Sequence, residues 1–147
     1  MLRAWIYDFI PSLLVREMED YSDFEETISS TKPTIINFYS SWAFSCRRFE
    51  PELNRLSRML SNIQFRTLNC ENMAKLCDDL KIHVYPSLRL YSGDNNSIDR
   101  GSYKRGVHIP LPDLDDVDDL DLNALAQSIQ TISAQERLSL HSIKTEL

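Results

Sequence analysis

The sequence predicts an α/β domain in which a central β-sheet is flanked by helices. Thr34-Ile35-Ile36-Asn37-Phe38-Tyr39 is a β-branched and aromatic run without alternation, the pattern of a strand buried on both faces. Downstream, Phe49, Leu53, Leu56 and Leu60 recur at i, i+4, i+7 and i+11, which marks an amphipathic helix. Strand and helix patterns then alternate along the chain, and that alternation builds a sheet with helices on its faces.

Taken in order, Leu13–Glu17 reads as a short first strand. Ser22-Asp23-Phe24-Glu25 reads as a capping box, with Tyr21, Phe24 and Ile28 on the apolar face of the helix that follows. Lys32-Pro33 punctuates before the Thr34–Tyr39 strand. The helix around Phe49 carries Arg47, Arg48, Arg55 and Arg58 on a face read as solvated, and Pro51 inside it should kink it. Ile63–Leu68 reads as a strand, Asn72–Leu80 as a helix and Ser87–Tyr91 as an alternating strand. Gly93-Asp94-Asn95-Asn96 is a turn signal, with Ile98–Tyr103 as a hairpin partner. Residues 107–121 carry six aspartates and two prolines and read as an acidic loop. Leu122, Leu125, Ala126, Ile129 and Ile132 then mark a last helix, and the weakly patterned tail beyond Ser133 is expected to fray.

Length and composition bound the function. At 147 residues the chain suits one domain that needs no metal or dense disulfide framework to build a core. A net charge of −6 argues against nucleic acid as a partner, because that surface needs clustered positive charge. No apolar run approaches the ~18 residues of a membrane span. His83, His108 and His141 share no ligand spacing, so no metal or other cofactor is expected. The aspartates of 113–121 lack the glycine and terminal glutamate of a calcium-binding EF-hand loop. Cys46, Cys70 and Cys77 are too few for a disulfide scaffold and allow one bridge plus one free thiol.

The junction after the buried strand reads Tyr39-Ser40-Ser41-Trp42-Ala43-Phe44-Ser45-Cys46-Arg47. It resembles the thioredoxin active-site segment, aromatic-x-x-Trp-Cys-x-x-Cys-Lys/Arg. Pro51, five residues beyond Cys46, matches the kinking proline of that family, and Val84-Tyr85-Pro86-Ser87 resembles its cis-proline loop. The resemblance spans Leu13 to Ile132 and implies a thioredoxin-like fold with a central mixed sheet. Cys70 and Cys77 match a cysteine pair common in thioredoxin modules of the protein disulfide isomerase superfamily, which implies a disulfide between them. If one helix began at Cys70, the two would stand ~10.5 Å apart, too far to bridge, so a bridge requires a turn first. Leu2-Arg3-Ala4-Trp5, Phe9-Ile10-Pro11, the segment Glu50–Met59 and the tail together look like the C-terminal thioredoxin module of the endoplasmic reticulum (ER)-resident J-domain disulfide reductases. That family reduces disulfides of misfolded clients ahead of their degradation.

In that family the first cysteine, at a helix N-terminus that favours thiolate, attacks a substrate disulfide, and the second resolves the mixed disulfide. Here the first position is Ala43, which has no sulfur. The family's buried acid, six residues earlier, is Asn37, and Phe44-Ser45 replaces the usual intervening pair. These joint departures favour natural drift over an engineered trap, which would keep the attacking cysteine. The catalytic set is therefore not intact. Cys46 reads as a buried small hydrophobe or a lone redox thiol, and Trp42 with Tyr85 as a client groove or as caps of the core edge. With Phe44 and Pro86 they form the candidate binding surface, and Tyr85-Pro86 is expected to be cis by resemblance.

The domain organisation expected is a lead-in over 1–12, a thioredoxin-like domain over 13–133 and a tail over 134–147. Lys144-Thr145-Glu146-Leu147 differs at one position from the ER retention signal Lys-Asp-Glu-Leu and implies a retention receptor as a partner. The Met1–Pro11 stretch is a poor signal peptide, so ER residence would need a longer parent chain that supplies one. Asn95-Asn96-Ser97 is a glycosylation sequon. The leading function is a redox-inactive module of an ER quality-control protein that binds misfolded polypeptides or neighbouring thioredoxin modules. The alternatives are residual disulfide oxidoreductase activity, a mutated copy of an active reductase, or a cytosolic thioredoxin-like adaptor.

Overall fold

The computed structural model describes residues 15–92, 105–114 and 120–146. Among the described residues the elements follow in the order β1 (Arg16–Glu17), α1 (Tyr21–Ser29), β2 (Thr34–Tyr39), α2 (Phe44–Met59), β3 (Gln64–Asn69), α3 (Ala74–Asp79), β4 (Ser87–Tyr91), β5 (Val107–Ile109) and α4 (Leu122–Glu146). The sheet runs β1-β3-β2-β4-β5, with β1, β3 and β2 parallel and β4 antiparallel to both β2 and β5. The result is a mixed five-stranded sheet of thioredoxin topology.

β2 lies at the centre and is buried along almost its whole length, which explains its unbroken apolar run. Ile35 packs with Phe49, Leu53, Leu56, Leu88, Leu90 and Ile129 on the α2 and α4 side. Ile36 and Phe38 point the other way, into Phe24, Ile28, Leu68, Leu76 and Leu80. Asn37 alternates onto the Ile35 side, beneath α2. α2 lays Phe49, Leu53 and Leu56 on the sheet and runs on both sides of Pro51.

Four local readings change. The N-cap of α1 is Asp20 rather than Ser22: Asp20 Oδ1 accepts from Asp23 N–H at 2.9 Å, and Asp23 Oδ2 accepts from Glu19 N–H at 2.9 Å. Two overlapping cap patterns compete, and the aspartate pair satisfies two helix-end donors at once. α3 starts at Ala74, after a turn over 70–72, and not at Asn72. Val107-His108-Ile109, read as the start of the acidic loop, is the edge strand beside β4, and Leu114 is buried in the core. The alternation of those three residues was hidden by the aspartates that follow. α4 continues through the segment expected to fray, as far as Glu146. The readings at 93–104, including the turn, the hairpin partner and Asn95, lie outside the described residues, as do residues 115–119, Leu147 and the lead-in over 1–12.

Candidate functional site

The site is built where β2 hands over to α2. The chain leaves the sheet at Tyr39, crosses Ser40-Ser41-Trp42 and enters the helix with Ala43 as N-cap. Ala43 N–H donates to the Ser40 carbonyl at 3.1 Å, and the Ala43 carbonyl accepts from Cys46 N–H at 3.1 Å. No side chain caps this helix end, because alanine carries no acceptor. Ala43, the residue the resemblance aligns with the family's attacking cysteine, presents a methyl group at this helix start.

Cys46 lies one turn further in, unbridged and buried. Burial pushes its thiol pKa up, against a smaller lowering by a backbone hydrogen bond at Ser40. Burial thus favours the protonated thiol over the more nucleophilic thiolate. Asn37 is also buried, and its Oδ1 has no hydrogen-bond partner among the described residues. Cys46 and Asn37 line a cavity of about 240 Å³ with Glu17, Tyr39, Glu50 and Asn54. The Tyr39 hydroxyl donates to Glu17 Oε1, and burial followed by that bond raises its pKa. An amide at position 37 neither accepts a proton from Cys46 nor delivers one.

The outer surface is different in character. Trp42 is 70% exposed, Phe44 63% and Val84 72%, three of the six large exposed hydrophobic residues among the described ones. Tyr85 is joined to Pro86 by a cis peptide bond, and its ring meets Trp42 edge-to-face at a centroid distance of 6.1 Å. The guanidinium carbons of Arg47 and Arg48 stand 5.8 and 5.5 Å from the centre of the Phe44 ring. Of the residues singled out from sequence, Trp42 and Phe44 are exposed and Tyr85 meets Trp42, whereas Pro86 is buried and contributes to this surface through the backbone of the cis bond it shares with Tyr85.

Glu71 was not singled out, yet one of its oxygens organises the loop. Glu71 Oε1 accepts from Ser40 Oγ at 2.9 Å, Ser41 N–H at 2.9 Å, Ser41 Oγ at 2.7 Å and Trp42 N–H at 3.3 Å. The hydroxyls of Ser41 and then Ser40 lower its carboxyl pKa. Glu71 follows Cys70, which is bridged to Cys77 with a Cα–Cα distance of 5.8 Å. Cys70 N–H also donates to the Tyr39 carbonyl at 2.9 Å. The turn after β3 therefore holds the loop before α2. A Ser-Ser-Trp stretch with exposed amides was the one sequence signal for such an acceptor.

A five-stranded mixed sheet in this order, a helix launched from its central strand beside a cis-proline loop, and a Trp-x-x-x-Cys segment at that launch point define a thioredoxin-type domain. The thioredoxin family model matches residues 15–107, and the chain belongs to that family. It is a thioredoxin-like module similar to those of DnaJ homolog subfamily C member 10: the protein of Rattus norvegicus is 28% identical over 91 residues, which cover 61% of this chain and 11% of that protein. The chain thus matches about a tenth of the length of those relatives. Protein disulfide-isomerase 5-2 of Arabidopsis thaliana is 29% identical over 82 residues, covering 53% of this chain and 18% of that protein. The solved J-Trx1 fragment of ERdj5 superposes with a TM-score of 0.64 at 18% identity, over 88% of this chain and 55% of that fragment, a likeness of fold.

Proposed function

We propose that this chain is a redox-inactive thioredoxin module that binds extended, unfolded polypeptide at the rim formed by Trp42, Phe44 and Tyr85, beside the cis Tyr85-Pro86 bond, within an ER quality-control protein. The observation that carries the reading is the pairing of a sulfur-free helix N-cap with an exposed aromatic rim. Ala43 supplies no nucleophile, while Trp42 and Phe44 offer apolar area to solvent. Pairing of a client backbone against an exposed edge needs no sulfur. Cys46 is buried with a raised pKa, and an amide, Asn37, stands where the family resemblance places a buried acid, which opposes turnover through the remaining thiol. The similarity to DnaJ homolog subfamily C member 10 and the Lys144–Leu147 tail support ER residence, with a retention receptor and neighbouring thioredoxin modules of a longer parent chain as further partners.

Two measurements on the full chain test the proposal. In an insulin-reduction assay the protein is expected to match the no-enzyme control. Turnover that disappears in Cys46→Ser would replace this reading with residual oxidoreductase activity. In an NMR titration with a reduced, unfolded client peptide, shifts are expected to cluster at Trp42, Phe44 and Tyr85. Affinity should be weak, because a short edge buries little surface and ordering the client opposes binding. No shifts there at millimolar peptide would remove the binding role.

A further inference from the structure

Two guanidinium groups stand over one exposed ring at the mouth of the proposed peptide surface. Phe44 opens α2, and Arg47 and Arg48 lie three and four residues on, the spacings that share a helix face. Both guanidinium carbons come within 6 Å of the Phe44 ring centre. The ring's π face holds the cations in place, and the planar donor fork of the exposed Arg47 suits a carboxylate while Arg48 adds its positive charge. This local cationic rim stands out against a chain whose net charge is −6. Glu71 turns one oxygen onto the Ser40, Ser41 and Trp42 donors, away from the two arginines that follow on α2.

We propose that the rim of Phe44, Arg47 and Arg48 selects extended peptides in which a carboxylate side chain lies two residues from an apolar one. This rests on the peptide-binding reading above and adds the class of client. Side chains at i and i+2 of an extended peptide share a face and stand ~7 Å apart. Trp42 and Phe44 are likewise two residues apart, separated by Ala43 in extended backbone (φ −80°, ψ 120°). An apolar client residue seated against Trp42 and Tyr85 therefore directs its i+2 neighbour towards the two arginines. The apolar contact supplies attachment, and the charge supplies choice between clients.

The test uses the full chain and three fluorescein-labelled peptides, identical except for a central Leu-Thr-Asp, Leu-Thr-Asn or Leu-Thr-Lys. Fluorescence anisotropy at 20 mM salt should show the Asp peptide binding about fivefold tighter than the Asn peptide, the scale of one or two solvent-exposed ion pairs. The Lys peptide should bind weakest. At 500 mM salt the three should converge, as exposed charges are screened. Arg47→Gln with Arg48→Gln should equalise the Asp and Asn peptides. Arg47→Gln alone should close part of the gap, which keeps the test open if the double variant folds poorly. Equal binding of Asp and Asn peptides by the unaltered protein would overturn the selectivity and leave the binding surface standing. Binding of none of the three at millimolar concentration would overturn both.

Discussion

Phe44 and Phe49 sit on the same helix, about one and a half turns apart, and live in opposite worlds. Phe49 is 0% exposed in the core between α2 and the sheet, whereas Phe44 is 63% exposed at the first turn. The fold depends on the inner stripe of α2 and hardly at all on its opening residues. The first turn can therefore carry Ala43, a residue without a thiol, while sheet, helix and cis-proline loop persist.

That contrast has a direct thermodynamic form. Phe49→Ala empties a filled core site and should destabilise the domain by about 3–5 kcal/mol in urea unfolding. Phe44→Ala should change stability by no more than about 0.5 kcal/mol, yet weaken client binding. Comparable losses of stability in the two variants would break the comparison.

A second contrast sets the bridged cysteines against the free one. Cys70 and Cys77 close a loop across a sequence separation of seven, worth roughly 2.5 kcal/mol in the chain-entropy account of disulfides. Cys70→Ala with Cys77→Ala should lower the urea midpoint accordingly. Cys46→Ala removes one buried sulfur and closes no loop, so its cost should be the smaller. A thiol titration of the denatured, unreduced protein sharpens the point: one reactive thiol is expected, and three would deny the bridge.

Much of this was legible from residues alone because long apolar patterns report burial. The unbroken apolar run of β2, the α2 stripe with its period near 3.6 and the order of the elements up to β4 follow from patterns that packing enforces. The cis Tyr85-Pro86 bond, beside which Tyr85 meets Trp42, was legible from family likeness rather than from period. Glu71 was not legible, because an acid in a loop looks the same in sequence whether it is solvated or accepts several hydrogen bonds. Asp20 and Ser22 were indistinguishable as caps until the helix start was fixed. Val107–Ile109 failed for a different reason: three residues are too short a strand to outweigh an acidic composition. The length of α4 was missed because its last turns do not keep the apolar period that marked its start.

The smallest effect belongs to Glu71, where the loop of the rim meets the bridged turn. The hydroxyls of Ser41 and Ser40 stabilise the carboxylate and lower its pKa below the ordinary value of 4.5. For a group whose folded pKa is depressed, the stabilisation is present above the unfolded value and is lost as pH falls through the folded one. Acid should therefore loosen the Ser40–Trp42 loop below about pH 4.5, the ordinary value, with little change at neutral pH. The chain has two tryptophans, so Trp5→Phe leaves Trp42 as the sole emitter. Its emission should then show a step on acidification that precedes global unfolding measured by circular dichroism. Glu71→Gln keeps the size of the side chain but removes the titrating charge, and the step should vanish. Peptide affinity at neutral pH should fall modestly in that variant, because a neutral amide is a weaker acceptor for the same donors. An identical pH profile in both proteins would show that Glu71 does not position Trp42, leaving the rim to be held by Tyr85 and the helix alone.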